Sequence, residues 1–279
     1  MAFQLRLSEV QAARDIGRRA LRTIHIREQD EKLAIWIALL NLEVSYGTED
    51  DVETVFREAC QMQDPYTVHE RMADIYTAAD QISKADATYT AMIENKSFRA
   101  STQLWYTYAT FLFDKAADPA RARNLLSRAL QSVHEAEKRA LTAKFAALEW
   151  KCNNGSVERG RTIFEGLLSE WPKWTQGWDM FVDLERSRIS GSSRADEPGH
   201  KAATGETTES RSETVSRVRS LYERMAKNKM KKRRARFVFK KWLEFEEGVN
   251  GSGSKEVERV KALAREYVNG LQQSGENEE

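Results

Sequence analysis

A phrase of eight or nine residues returns seven times along this chain, and that recurrence restricts the fold more than any local feature. Ala13-Arg-Asp-Ile-Gly-Arg-Arg-Ala-Leu21 and Ala122-Arg-Asn-Leu-Leu-Ser-Arg-Ala-Leu130 share alanine at the first and eighth places, arginine at the second and seventh, and leucine at the ninth. Looser copies begin at Val52 (VETVFREA), Ala85 (ADATYTAM), Gly160 (GRTIFEGL), Val218 (VRSLYERM) and Val260 (VKALAREY). Small or apolar residues recur at the first, fourth, fifth and eighth places, which is the stripe of an amphipathic helix.

A second phrase interleaves with the first. Trp36-Ile-Ala-Leu-Leu-Asn-Leu42-Glu43 and Trp178-Asp-Met-Phe-Val-Asp-Leu184-Glu185 share the form W-x5-L-E. The runs Thr142 to Glu149 and Phe239 to Glu246 keep the acid with a changed first residue, whereas His69 to Tyr76 and Trp105 to Leu112 keep only the apolar places. Successive starts are separated by 33, 36, 37, 36 and 61 residues, the last being one period plus about 25 inserted residues. The chain therefore reads as helix pairs, an A helix (second phrase) followed by a B helix (first phrase). A single pair cannot bury its own apolar face, so neighbours must stack. The prediction is an all-α, right-handed solenoid of six to seven hairpins spanning residues 1–279 as one domain. Asp118-Pro119 supplies a helix cap and a first-turn proline, and Asn153-Asn154-Gly155-Ser156 ends one helix and starts the next. Before the first B helix stand only Met1 to Leu5 and a short polar stretch, which reads as the tail of a truncated A helix and so as a piece of a larger protein.

Two segments fall outside the repeat. Residues 186–214 carry a single large aliphatic residue, Ile189, amid Ser, Gly, Thr, Glu and Lys, and are expected to form a disordered insert on an exposed turn. That insert is either a tolerated expansion or a regulated Ser/Thr-rich site. Residues 272–279 read as an acidic tail with nothing to pack. No window is apolar enough to cross a membrane, and the amino-terminal residues lack the pattern of a secretory signal. Cys60 and Cys152 stand far apart without a CxxC pair, as packing residues of a reducing compartment would, and four scattered histidines give no metal-ligand spacing. Phosphate loops, dinucleotide fingerprints and nucleophile elbows are also missing, so the reading is of a protein that is not an enzyme, with no catalytic residues, cofactor or small-molecule substrate.

Glu43, Glu149, Glu185 and Glu246 share one place in the A helix, which points to structure; each is expected to pair with a B-helix arginine such as Arg161 or Arg219. Trp36, Trp105 and Trp178 share another and are expected in the core, whereas Trp171 and Trp174 flank a proline turn, where exposure and base stacking are conceivable. The strongest functional signal is electrostatic. Lys227, Lys229, Lys231, Lys232, Arg233, Arg234, Arg236, Lys240 and Lys241 fall within fifteen residues that contain no acid. From Arg211 to Lys241, thirteen basic residues against two acidic ones leave +11; since the whole chain is +1, the remainder carries −10. Read on a helix, Met230, Phe237, Phe239 and Trp242 face the core, and Lys231, Lys232, Arg234 and Lys241 face outward. A solvated helix face, a nuclear import signal at Lys231 to Arg236 and a polyanion-binding surface all fit, and the uncompensated repulsion favours the last.

With both phrases in view, the chain resembles the half-a-TPR (HAT) repeat: an aromatic-led A helix ending in an acid, then a B helix of the form A-R-x-[IVL]-[FY]-E-R-A. MAFQLRLSEVQAARDIGRRALRTI, IWIALLNLEVSYGT, LWYTYATFLF and KKRRARFVFKKWLEFEEG are more specifically similar to the C-terminal repeat domain of the ribosomal RNA processing protein five, or programmed cell death protein eleven, family. That resemblance implies S1-type RNA-binding domains preceding this segment, location in the nucleolus and nucleus, and a scaffold that holds pre-rRNA or processing proteins during small-subunit assembly. Two alternatives stay open from the residues: a protein-only module binding a partner's peptide, and a homodimeric HAT scaffold of messenger-RNA 3′-end processing or splicing.

Overall fold

The computed structural model describes residues 9–25, 27–192, 211–228 and 230–276, of which thirteen α-helices and no strand are the regular elements. The A helices are α2 (Gln29–Tyr46), α4 (Pro65–Ala78), α6 (Thr102–Asp114), α8 (Glu135–Lys151), α10 (Thr175–Ser192) and α12 (Lys232–Asn250). The B helices are α1 (Val10–Thr23), α3 (Glu49–Met62), α5 (Ile82–Glu94), α7 (Pro119–Ser132), α9 (Val157–Glu170), α11 (Arg211–Lys227) and α13 (Lys255–Glu276). Every copy of the two phrases lies inside the helix assigned to it. Among the described residues no helix is long and apolar enough to cross a membrane.

The chain divides into two units, residues 1–156 and 157–279. In the first, α2 packs on α3, α4 on α5 and α6 on α7, each B helix also meets the A helix that follows it, and α2 touches α4 as α6 touches α8. In the second, α9 packs on α10, α10 on α11, α11 on α12 and α12 on α13. Both units are thus rows of hairpins in sequential contact, the stacking of an α-solenoid. The alanines of the B-helix phrase explain the close approach: Ala13, Ala59, Ala85, Ala122 and Ala129 are all fully buried. A larger side chain at such a place would overpack the seam.

Local chemistry sets the boundaries. Thr48 and Asp51 form a reciprocal capping box on α3, and the carboxylates of Asp64 and Asp118 accept the amides of Thr67 and Arg121 to cap α4 and α7, each with proline in the first turn. At Gly155 an added Cβ would lie 2.4 Å from the Glu149 carbonyl oxygen, so only glycine fits the turn before α9. The Ser156 amide then donates to Glu149 Oε2 at 2.7 Å.

Three expectations need correction or restriction. The helices run into both ends of the stretch read as a disordered insert: α10 continues through 186–192 and α11 takes in 211–214, with Thr214 buried. The Arg186 guanidinium lies 5.8 Å from the Phe245 ring centre, a contact to α12 that a composition count cannot anticipate. Residues 193–210 lie outside the described residues. Helix α13 reaches Glu276, so most of the stretch read as a tail is helical, while 277–279 and the amino-terminal stretch read as a cut A helix lie outside. Finally, Trp174 is buried, because its ring folds onto Gly177, where a Cβ would sit 2.2 Å from the indole. Trp171 is half-buried, and Trp36, Trp105 and Trp178 are core residues as their spacing predicts.

Candidate nucleic-acid interface

The framework that carries the basic run rests on a repeated ion pair. The arginine in the second place of a B helix reaches the glutamate of the next A helix through Nε and Nη2 together. Arg14 meets Glu43 at 2.9 and 2.7 Å, Arg123 meets Glu149 at 2.8 and 2.8 Å, and Arg161 meets Glu185 at 2.6 and 2.9 Å. Arg219 completes the set on Glu246 at 2.9 and 2.8 Å. All four glutamates are buried. The hydrogen bond donated to the carboxylate is the main cause that raises Arg14, Arg123 and Arg219 above the ordinary arginine value. The two residue types come and go together. Where the B helix carries an acid in that place, Glu53 or Asp86, the following A helix carries Tyr76 or Leu112 where the others have the glutamate. Asp86 instead accepts from Tyr108 Oη at 2.8 Å and Arg121 Nη2 at 2.8 Å, an exchange that the repeat alone does not announce.

The basic run occupies the end of α11, the connection 228–231 and the first turns of α12. That connection is tied down twice. Asn228 Nδ2 donates to the Pro172 carbonyl at 3.2 Å, and Tyr267 on α13 accepts the Met230 amide at 2.7 Å while donating toward the Asn228 and Met230 carbonyls. Helix α12 then opens at Lys231, whose extended backbone suits a cap but whose side chain accepts no amide, and no acid stands in the first turn. Cations at an amino-terminal helix end oppose the helix dipole.

Of the nine cations singled out by sequence, the structure separates three groups. Lys227, Lys231, Lys232, Arg233 and Arg236 are exposed, and among the described residues none of them has an ion-pair partner. Lys240 is exposed with only a 3.8 Å approach to Glu244. Arg234 and Lys241 do not point outward as read from the sequence. They are half-buried against α10, Arg234 on Asp179 at 2.6 Å and Lys241 3.6 Å from Asp183. Lys229 lies outside the described residues.

Phe237 reverses the same expectation. Phe239 and Trp242 are buried, whereas Phe237 is 43% exposed, with Arg234 and Lys241 each 5.1 Å from its ring centre. Helix geometry accounts for all three residues. The buried stripe of α12 runs through Ala235, Val238, Phe239, Trp242, Phe245 and Glu246. Arg234 and Lys241 flank that stripe at Val238 minus four and plus three, while Phe237 and Phe239 are two residues apart and cannot share a face. The signal was present in the spacing but was outweighed by residue type. Away from this face, burial raises Cys60 to about 11 and Cys152 to about 12, so neither thiol is a nucleophile at neutral pH.

No protein-family model matches the sequence. Among curated proteins, rRNA biogenesis protein rrp5 of Schizosaccharomyces pombe is 41% identical over 270 residues, covering 96% of this chain and 14% of that protein. Protein RRP5 homolog of Mus musculus is 35% identical over 268 residues, and rRNA biogenesis protein RRP5 of Arabidopsis thaliana 34% over 271, each covering 96% of this chain and 13% and 12% of theirs. The chain therefore spans about an eighth to a seventh of the length of these relatives. A crystallised tetratricopeptide repeat protein of Parabacteroides merdae aligns with 96% of the chain and 95% of its own at 14% identity and a TM-score of 0.36. Similarity that runs through nearly every hairpin, in a fungal, an animal and a plant protein alike, shows that the chain belongs to the RRP5 family, as the counterpart of one segment of its members.

Proposed function

We propose that this chain is a non-catalytic scaffold of ribosome biogenesis, acting in the nucleus and nucleolus, that holds pre-rRNA on the basic face at the start of α12 and presents it to processing proteins. The carrying observation is the group of five exposed cations, Lys227, Lys231, Lys232, Arg233 and Arg236, without acidic partners among the described residues. Their mutual repulsion, added to the unfavourable helix end, is relieved by a polyanion. The names of the relatives supply the process, and the phosphate backbone of RNA supplies the matching charge.

The test is RNA binding by the chain across a salt series, compared with a variant carrying Lys231→Glu, Lys232→Glu, Arg233→Glu and Arg236→Glu. Each phosphate contact on a single strand contributes about −0.7 to the slope of log affinity against log salt, so the variant should lose about tenfold or more in affinity and flatten that slope by up to roughly three. An unchanged slope would remove RNA from this face. Co-assembly with processing proteins that survives nuclease treatment and this variant alike would favour a protein-only module.

A further inference from the structure

We propose that the cavity beside the basic face receives one unpaired RNA nucleotide, its base against the apolar wall and its phosphate on the basic rim. This inference rests on the RNA reading above and narrows it to single strands. The cavity has a volume of about 340 Å³ and lies between the proline turn at 172–175, the carboxyl end of α11 and the amino end of α12. That is the small end of the range of ligand pockets, with room for one ring system and its phosphate and not for a stacked pair.

Its lining divides by chemistry. Trp178, Met225 and Met230 give an aromatic and thioether wall suited to a flat ring. Lys173, Lys231 and Arg234 supply the charge, and among the described residues no carboxylate lines the cavity. Arg234 is balanced by Asp179 at 2.6 Å, outside the lining, and its buried Nε has no hydrogen-bond partner among the described residues. Lys173 and Lys231 are exposed and unbalanced among the described residues. Asn228 spends its Nδ2 on the Pro172 carbonyl and keeps Oδ1 free of any partner among the described residues, an acceptor for a base edge. Lys231 belongs both to this lining and to the exposed row, so a strand laid along Lys232, Arg233 and Arg236 meets the cavity at Lys231. A duplex cannot use it, because its bases are stacked and paired; a single strand can turn one base out at little cost.

The experiment compares a short single-stranded RNA with the same sequence as a duplex, by fluorescence anisotropy at fixed salt, with adenosine monophosphate and inorganic phosphate as competitors. Wild type should prefer the single strand by roughly tenfold, the size of one stacked base, and adenosine monophosphate should compete where inorganic phosphate does not. Met230→Trp, which fills the cavity and removes no charge, should bring single-strand affinity down to the duplex level and leave duplex affinity and the salt slope unchanged. A thermal melt checks that this variant folds; if it does not, Lys173→Glu on the exposed turn carries the test, with a severalfold loss of preference. Equal wild-type affinity for both forms, or a preference that survives filling the cavity, would overturn the inference while the RNA reading stands. Absence of binding to either form would take both down.

Discussion

Glu185 has 1% of its side chain exposed and Arg161 has 7%, so both charges of this pair are removed from water. Desolvation on that scale costs several kcal/mol per ion, and only the two-point geometry and further hydrogen bonds offset it. Losing one partner is therefore worse than losing both. Glu185→Ala should destabilise its unit by about 3–5 kcal/mol in urea unfolding, and the double change Arg161→Met with Glu185→Leu should recover most of that loss. Glu165→Ala, which removes the 2.7 Å but half-exposed bridge to Arg224, should cost only about 1 kcal/mol. Equal costs for Glu185→Ala and Glu165→Ala would show that the buried pair is not a structural pin. The same reasoning explains why arginine and glutamate appear in this repeat together or not at all.

At the scale of the element, α12 is set apart by the charge at its start. Thr48, Asp64, Ser101 and Asp118 each accept an amide at the start of α3, α4, α6 and α7, whereas α12 begins with Lys231 and three further cations within its first turn. A helix end built for stability would carry the opposite charge. Lys231→Asp should therefore stabilise the second unit by about 1 kcal/mol through capping and the dipole, seen as a higher melting temperature. The same change should weaken RNA binding several-fold, since Lys231 belongs to the proposed contact row and to the cavity. A variant that gains stability and keeps its affinity would separate this helix end from function. Sites that trade stability for activity are where local rules are expected to fail.

Within each of the two units, each helix packs on its sequence neighbours, and the A helices α2 and α6 also reach the A helix of the next hairpin, so the effects of damage should stay local. Leu112 in α6 is fully buried within the first unit. Leu112→Ala should cost about 2–5 kcal/mol there and speed amide exchange through α4 to α8, with the protection of α12 and α13 unchanged. Exchange that rises equally in all thirteen helices would indicate one cooperative core instead.

The order of the helices, the burial of Trp36, Trp105 and Trp178, and the pairing of the four repeated glutamates with B-helix arginines were legible before any coordinates. Each follows from periodicity along a helix or from two phrases recurring in step, and helical geometry converts such spacing directly into faces and neighbours. The free charge on the basic face was not legible. Arg234 and Lys241 are taken up by Asp179 and Asp183, more than fifty residues earlier in the chain, and a count of local charge cannot see them. The cavity beside α12 likewise arises where a proline turn and two helix ends meet, and Trp174 of that turn is buried against Gly177. Attraction between charges and exclusion of water depend on distance through space, which only the folding of distant segments against one another decides.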